Sequence, residues 1–180
     1  DIESYLNEPK QVLAQSTLLP EHLKTAFFAI LNPVIEATQK AYKPTSSIRL
    51  HGDCHPGNIL WTDDGPHIVD LDDARSGPAI QDLWMFISGA RADQQRSLEK
   101  LLDGYVQFCD FNPRELHLIE ALRTLRMIHY YAWIARRWED PAFPHIYPWF
   151  NTQRSWEEHI LNLREQAALM EEEPLPWNCP

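Results

Sequence analysis

The chain has 180 residues, of which 44% are hydrophobic, so it can bury the core of one domain or of part of one. Sixteen Lys and Arg residues against 26 Asp and Glu residues give a net charge of −10. That balance argues against nucleic acid or an anionic membrane as the main partner.

Residues 1–47 are predicted to be leading helices. Pro9 interrupts the first part, so only a short helix around residues 1–6 is expected there. Apolar residues then recur at helical spacing and predict an amphipathic helix over about 21–41, with a kink at Pro33.

Residues 48–78 are predicted to be a short strand, a loop and a β-hairpin. The strand covers residues 48–50 and leads into a loop rich in Gly and Pro. Two apolar runs around a polar turn, at 59–61 and 67–69, are typical of a hairpin. Residues 71–78 are expected to form a second loop.

Residues 79–172 are predicted to be a helical subdomain, followed by a loose tail over 173–180. The fold class is therefore mainly α with a small β-hairpin, that is, α+β. The expected elements are a helix over 80–88, a helix capped by Asp93 and ending near Cys109, a helix opened by Asn112-Pro113 and running to Trp138, an aromatic loop over 141–150 and a helix over 152–172.

Three polar residues of the loop and hairpin indicate chemistry. Asn58 follows Asp53 by five positions, and Asp70 ends the second apolar run. Phosphoryl transfer needs such a set, in which one carboxylate accepts the hydroxyl proton while an amide and a second carboxylate bind Mg²⁺. The alternative is that Asp53 and Asn58 only form turns. The full spacing favours Asp53 as the base and Asn58 and Asp70 as the metal ligands.

Four neighbouring residues are candidates for supporting roles. We expect His51 to tie the loop to the strand that ends at Asp70, and His55 to brace the loop. Asp72 is either a further metal ligand or part of a solvated acidic turn. Asp82 is expected to accept hydrogen bonds from backbone N–H groups of the loop.

The three cysteines, Cys54, Cys109 and Cys179, are odd in number and contain no Cys-x-x-Cys pair. They support neither a disulfide framework nor a zinc site, so a reduced cytoplasmic setting is expected. No apolar run approaches the ~20 residues that a membrane span needs. The first residues lack Met and signal-peptide character, so we expect the chain to begin inside a longer protein.

Residues 51–58 (HGDCHPGN) resemble the Brenner motif of the aminoglycoside phosphotransferase and choline kinase group, which is distantly related to protein kinases. Residues 69–73 (VDLDD) resemble that group's counterpart of the kinase DFG segment. The longer runs 49–85 and 130–149 are more similar still to the stress response kinase A family, the YihE-like bacterial serine/threonine protein kinases.

This resemblance implies the C-terminal lobe of a protein-kinase-like fold. It implies Asp53 as the catalytic residue, Mg²⁺ on Asn58 and Asp70, ATP as co-substrate, a protein Ser/Thr acceptor, a cytoplasmic location and a role in stress survival. The family's N-terminal lobe supplies the nucleotide clamp, which is not visible before residue 48. We therefore expect a C-lobe fragment that is inactive alone and whose partner is the missing N-lobe.

Two alternatives remain open. One is a small-molecule kinase whose acceptor is an aminoglycoside, choline or a homoserine-like hydroxyl, since an acidic groove favours a cationic substrate. The other is a truncated pseudokinase module without catalysis.

Overall fold

The computed structural model describes residues 2–177, apart from the side chains of Glu3 and Ser4. Asp1 and the last three residues of the predicted tail, among them Cys179, lie outside the described residues. The helices are α1 (Ile2–Gln15), α2 (Glu21–Ala41), α3 (Arg91–Tyr105), α4 (Ile119–Arg136), α5 (Ala142–Ile146) and α6 (Gln153–Leu169). The strands are β1 (Ile48–Leu50), β2 (Ile59–Thr62), β3 (Gly65–Ile68) and β4 (Arg75–Gly77).

The mainly helical architecture with small antiparallel sheets confirms the predicted α+β class. The chain divides into two compact units, each made of two stretches, whereas the division proposed from the sequence was linear. The first unit comprises Asp1–Tyr42 and Glu120–Glu172, and the second Lys43–Ile119 and Glu173–Pro180. Among the described helices, none is long and apolar enough to cross a membrane.

The first unit is built around α2 and α6. The ring of Phe27 on α2 meets the ring of Trp156 on α6 edge to face, at 5.6 Å between centroids. Both side chains are fully buried, and Phe150 packs on Trp156 at 5.1 Å. The predicted helix over 21–41 is confirmed, because its apolar stripe finds this partner.

Helix α1 corrects the prediction of a short helix that ends before Pro9. It runs from Ile2 to Gln15 with the proline inside. Leu6, Pro9 and Leu13 are all buried on one face, and that burial offsets the hydrogen bond that proline cannot donate.

The second unit holds both sheets. β1 pairs with β4, with Ile48 opposite Gly77, and β2 pairs with β3 across the two-residue turn Asp63-Asp64. The strand at 48–50 and the hairpin are therefore confirmed. The loop predicted over 71–78 is wrong at its end, because β4 forms there through backbone pairing that its polar side chains do not signal.

Three predicted helical segments need correction. Residues 80–88 form two short 3-10 helices, Ala79–Asp82 and Trp84–Phe86, instead of one helix. Asp93 does not cap α3, which begins after Ala90 and ends at Tyr105. Asn112 does accept a hydrogen bond from the N–H of Arg114, but it opens a 3-10 helix, Pro113–Leu118, that precedes α4.

Two segments predicted to be irregular are more ordered than expected. The aromatic loop contains helix α5, whose Phe143 is buried. The start of the predicted tail is packed, since Leu175 and Trp177 are buried and the Trp177 ring meets Phe111 edge to face at 5.8 Å. Apolar burial holds this segment, which lacks regular secondary structure.

Candidate active site

The loop that follows β1 is held by one carboxylate. Asp82 Oδ2 accepts a hydrogen bond from the N–H of His51 at 2.6 Å, and Oδ1 accepts one from the N–H of Gly52 at 2.9 Å. Hydrogen bonds to a charged acceptor are the stronger class. Asp82 thus makes the backbone contacts expected of it and fixes the entry to the loop.

The imidazole of His51 joins the loop to the far end of the hairpin. Its Nε2 lies 2.8 Å from the carbonyl oxygen of Val69, and its Nδ1 faces the N–H of Asp53 at 3.4 Å. Since the carbonyl only accepts and the N–H only donates, Nε2 carries the proton. The buried ring therefore links the residue before Asp70 to the residue proposed as the base.

Gly52 is required by both conformation and space. Its φ is +92°, in the left-handed region that favours glycine. A Cβ at this position would lie 2.0 Å from the carbonyl oxygen of Asp73. The loop therefore passes directly over the segment after the hairpin, and only glycine allows that approach.

Asn58 links the loop to the hairpin. Its Nδ2 donates to the carbonyl oxygen of Asp53 at 3.0 Å, which turns the amide oxygen away from that contact. Its own carbonyl accepts from the N–H of Val69 at 3.0 Å, extending the pairing of Ile59 with Ile68. Asn58 is therefore hydrogen-bonded both to Asp53 and to the residue before Asp70.

Asp70 is an exposed carboxylate on an unusual backbone. Its φ is +65°, the only positive value at a non-glycine position within residues 2–177. Such a conformation costs on the order of 1–3 kcal/mol and is concentrated at functional sites. The strain turns the chain sharply at the point where the hairpin delivers this carboxylate.

His55 lies beside the proposed base. Its Nδ1 accepts from the N–H of Gly57 at 3.0 Å, the loop-bracing bond expected from the sequence. Its Nε2 is 3.6 Å from Oδ2 of Asp53. Burial, with Asp82 and Asp53 nearby, raises the pKa of the Cys54 thiol, so this cysteine stays protonated and is a poor nucleophile.

The acidic segment after Asp70 is mostly exposed. Asp72 is exposed, while Asp73 pairs with Arg75, whose Nη2 lies 2.7 Å from the carboxylate. Within the described residues, no three His, Cys, Asp or Glu side chains are grouped to hold a metal ion. An amide oxygen, as on Asn58, and a carboxylate, as on Asp70, are ligand types that Mg²⁺ takes, while it keeps several waters and shares its shell with substrate phosphates.

Glu115 is a structural residue that the sequence interpretation missed. Its position three residues after Asn112 is typical of the acidic residue in the first turn of a helix. Instead its buried carboxylate accepts from the hydroxyl of Ser46 and from the N–H of Ile80 at 3.0 Å. It therefore anchors the 3-10 helix that supplies Asp82.

Comparison with known proteins identifies the family of this chain. The profile of the phosphotransferase enzyme family (APH) matches residues 3–119, which include every site residue above. The chain belongs to the phosphotransferase enzyme family. The matched region ends where the first helical turn of α4 begins.

Curated relatives cover nearly the whole chain. It is 45% identical over 175 residues to stress response kinase A of Escherichia coli K12, an alignment that spans 97% of this chain and 53% of that protein. It is 43% identical, with the same coverage, to the serine/threonine protein kinase RdoA of Salmonella typhimurium LT2. The chain thus spans about half the length of these relatives, and the family resemblance seen in the motifs is confirmed.

Proposed function

We propose that this chain supplies the catalytic base and metal ligands of an ATP- and Mg²⁺-dependent kinase that phosphorylates Ser and Thr hydroxyls of proteins. One observation carries the proposal. Asp53, Asn58 and the residue before Asp70 are joined by hydrogen bonds at one end of one hairpin, in a member of the phosphotransferase family.

Asp53 acts as the general base in this proposal. Its carboxylate accepts the proton of the acceptor hydroxyl as that oxygen attacks the γ-phosphorus, while the bond to the bridging oxygen of ATP breaks and ADP leaves. The half-buried position of Asp53 suits this role, because part of its side chain is accessible at the surface. His55 and Asn58 hold the loop that presents it.

Asn58 and Asp70 are the residues that would hold Mg²⁺. The cation would neutralise charge on the phosphates during transfer. The amide nitrogen of Asn58 donates to the carbonyl oxygen of Asp53, so the amide oxygen is the atom that would contact the cation. Asp72, exposed two residues after Asp70, is the candidate for a further contact.

The protein acceptor is supported by the serine/threonine kinase named among the relatives. The net charge of −10 and the exposed Asp70 and Asp72 favour a second candidate, a cationic small molecule with a hydroxyl group. A third candidate is a truncated pseudokinase module that does not catalyse phosphoryl transfer. ATP as co-substrate and a cytoplasmic location are part of the first proposal.

A transfer assay separates these candidates. The full-length protein is incubated with radiolabelled ATP and Mg²⁺, and label is followed into casein, kanamycin, choline and homoserine. We expect label on Ser and Thr of the protein acceptor, lost on addition of EDTA. Label only on a small molecule would support the second candidate, and no transfer to any acceptor would contradict both enzymatic proposals. Transfer by residues 1–180 alone would contradict the expectation that this part is inactive.

A further inference from the structure

A groove in the second unit is separate from the site described above. Its volume is about 530 Å³. It is lined by Lys43, Thr45, four residues of the 3-10 helix Pro113–Leu118 (Pro113, Arg114, Leu116 and His117) and residues 174–177. Pockets of several hundred Å³ are large enough to enclose a ligand or an anchoring side chain of a peptide.

The charge of the groove is opposite to that of the chain. Lys43, Arg114 and His117 line it and are exposed, and none of its described lining residues is acidic. The chain as a whole has ten more acidic than basic residues, since 26 − 16 = 10. A basic groove on an acidic protein attracts a negatively charged ligand to one place.

The floor of the groove is apolar. Leu116, Leu175 and Trp177 line it, and all three are largely buried. The Trp177 ring is held against Phe111 at 5.8 Å between centroids. Aromatic and aliphatic side chains beneath a polar rim are the usual composition of a binding hot spot.

The wall formed by residues 174–177 is held in place before any ligand binds, through its own backbone and that of the preceding residue. Arg91 Nη2 donates to the carbonyl oxygen of Glu173 at 2.6 Å, and Gln95 Nε2 donates to that of Pro176 at 2.7 Å. Prolines at 174 and 176 fix their own φ angles. A preformed wall lowers the entropy that binding must overcome.

We propose that this groove binds an acidic, extended segment of a partner protein. One apolar side chain of the segment packs on Leu116, Leu175 and Trp177, while flanking carboxylates pair with Lys43 and Arg114. The combination of a basic rim and an apolar floor selects a peptide of this composition over a simple anion.

The groove is connected to the active-site loop by one short element. Glu115 lies between Arg114 and Leu116 in sequence, and its carboxylate holds the N–H of Ile80. The 3-10 helix of Ile80 supplies Asp82, which holds the loop of Asp53. The partner is then the protein substrate, an identification that rests on the proposed kinase function.

Fluorescence anisotropy tests the groove in the full-length protein. The probe is a fluorescein-labelled peptide, Glu-Glu-Asp-Leu-Pro-Glu-Asp. We expect the double variant Lys43→Glu, Arg114→Glu to raise its Kd by about tenfold or more. The control Lys100→Glu, Arg164→Glu makes the same charge change at exposed positions outside the groove and is expected to change Kd by less than about twofold.

Two further peptides sharpen the result. A peptide with Lys at every acidic position and one with Ser in place of Leu should both bind at least about tenfold more weakly. Equal binding of either peptide, an unchanged Kd in the groove variant, or displacement by millimolar inorganic phosphate alone would overturn the proposal. If the peptide binds in the groove but the radiolabel assay shows no phosphoryl transfer to any acceptor, only the proposed kinase function is contradicted. If the assay shows transfer but peptide binding does not depend on the groove residues, only the groove proposal is contradicted.

Discussion

The active-site loop and the aromatic cluster of the first unit are held in place by opposite means. The loop depends on hydrogen bonds from its backbone to Asp82, and Asp70, which follows the hairpin beside it, is exposed. The cluster depends on burial, with Phe27, Phe150 and Trp156 fully enclosed. A substitution in the loop should therefore affect activity first, and one in the cluster should affect stability first.

The largest expected effect on stability is in the cluster. Trp156→Ala removes a ring that is 0% exposed and should lower the free energy of unfolding by about 3–5 kcal/mol. Trp61→Ala on the hairpin, where the ring is 77% exposed, should change it by less than about 0.5 kcal/mol. Urea denaturation of both variants measures the difference, and equal losses would break the comparison.

The cluster should also make the protein sensitive to acid. Burial lowers the pKa of His159 to about 4, only partly offset by Glu158. Its ring stacks on Tyr131 at 3.9 Å, and its Nδ1 is buried without a hydrogen-bond partner in the described part of the chain. Between its unfolded pKa of about 6.5 and about 4, only the unfolded state takes up the proton, so stability falls as the pH falls.

The size of this acid effect is on the order of 3 kcal/mol, and His159→Phe should remove it. Urea denaturation of the wild type and the variant at pH 7 and at pH 4.5 isolates the contribution. A wild type that loses no more stability than the variant would show that His159 is not buried in its neutral form.

The activity of the protein should be sensitive to the backbone conformation of the loop at Gly52. Gly52→Ala places a Cβ 2.0 Å from a carbonyl oxygen at a positive φ, so the loop must move and phosphoryl transfer should be lost. Gly65→Ala also has a positive φ but meets nothing within 4 Å. The Gly65→Ala variant should lose about 1 kcal/mol of its free energy of unfolding and keep its phosphoryl-transfer activity. Equal activities of the two variants would contradict the close approach.

The sequence predicted elements set by local patterns better than elements set by distant contacts, in both units. The Asp53-to-Asp70 spacing, β1, the hairpin and the helix over 21–41 follow from local patterns of polar, apolar and turn residues. The helix through Pro9, the strand Arg75–Gly77 and the packed segment at Trp177 do not, because they depend on tertiary burial or pairing that no local pattern signals. Glu115 was missed for the same reason, since its partners Ser46 and Ile80 are distant in sequence.

A smaller effect is expected for Asp82, whose two carboxylate oxygens accept hydrogen bonds from the N–H groups of His51 and Gly52. The Asp82→Asn side chain has only one acceptor oxygen, so one of these N–H groups loses its partner at a cost of about 1–3 kcal/mol. Phosphoryl transfer should fall while ATP affinity stays close to that of the wild type. Asp103→Asn on the exposed face of α3 is the matched control. Identical kinetics for the two variants would show that Asp82 does not position the loop.

The assignment of Asp53 as the base is tested most directly by comparing Asp53→Asn with Asp63→Asn in the full-length protein. Asp63 lies in the exposed hairpin turn. With radiolabelled ATP and a protein acceptor, Asp53→Asn should lower kcat by about 10²–10⁴-fold with ATP binding and unfolding free energy unchanged, while Asp63→Asn keeps full activity. An Asp53→Asn protein that retains the kcat of the Asp63→Asn control would contradict the assignment.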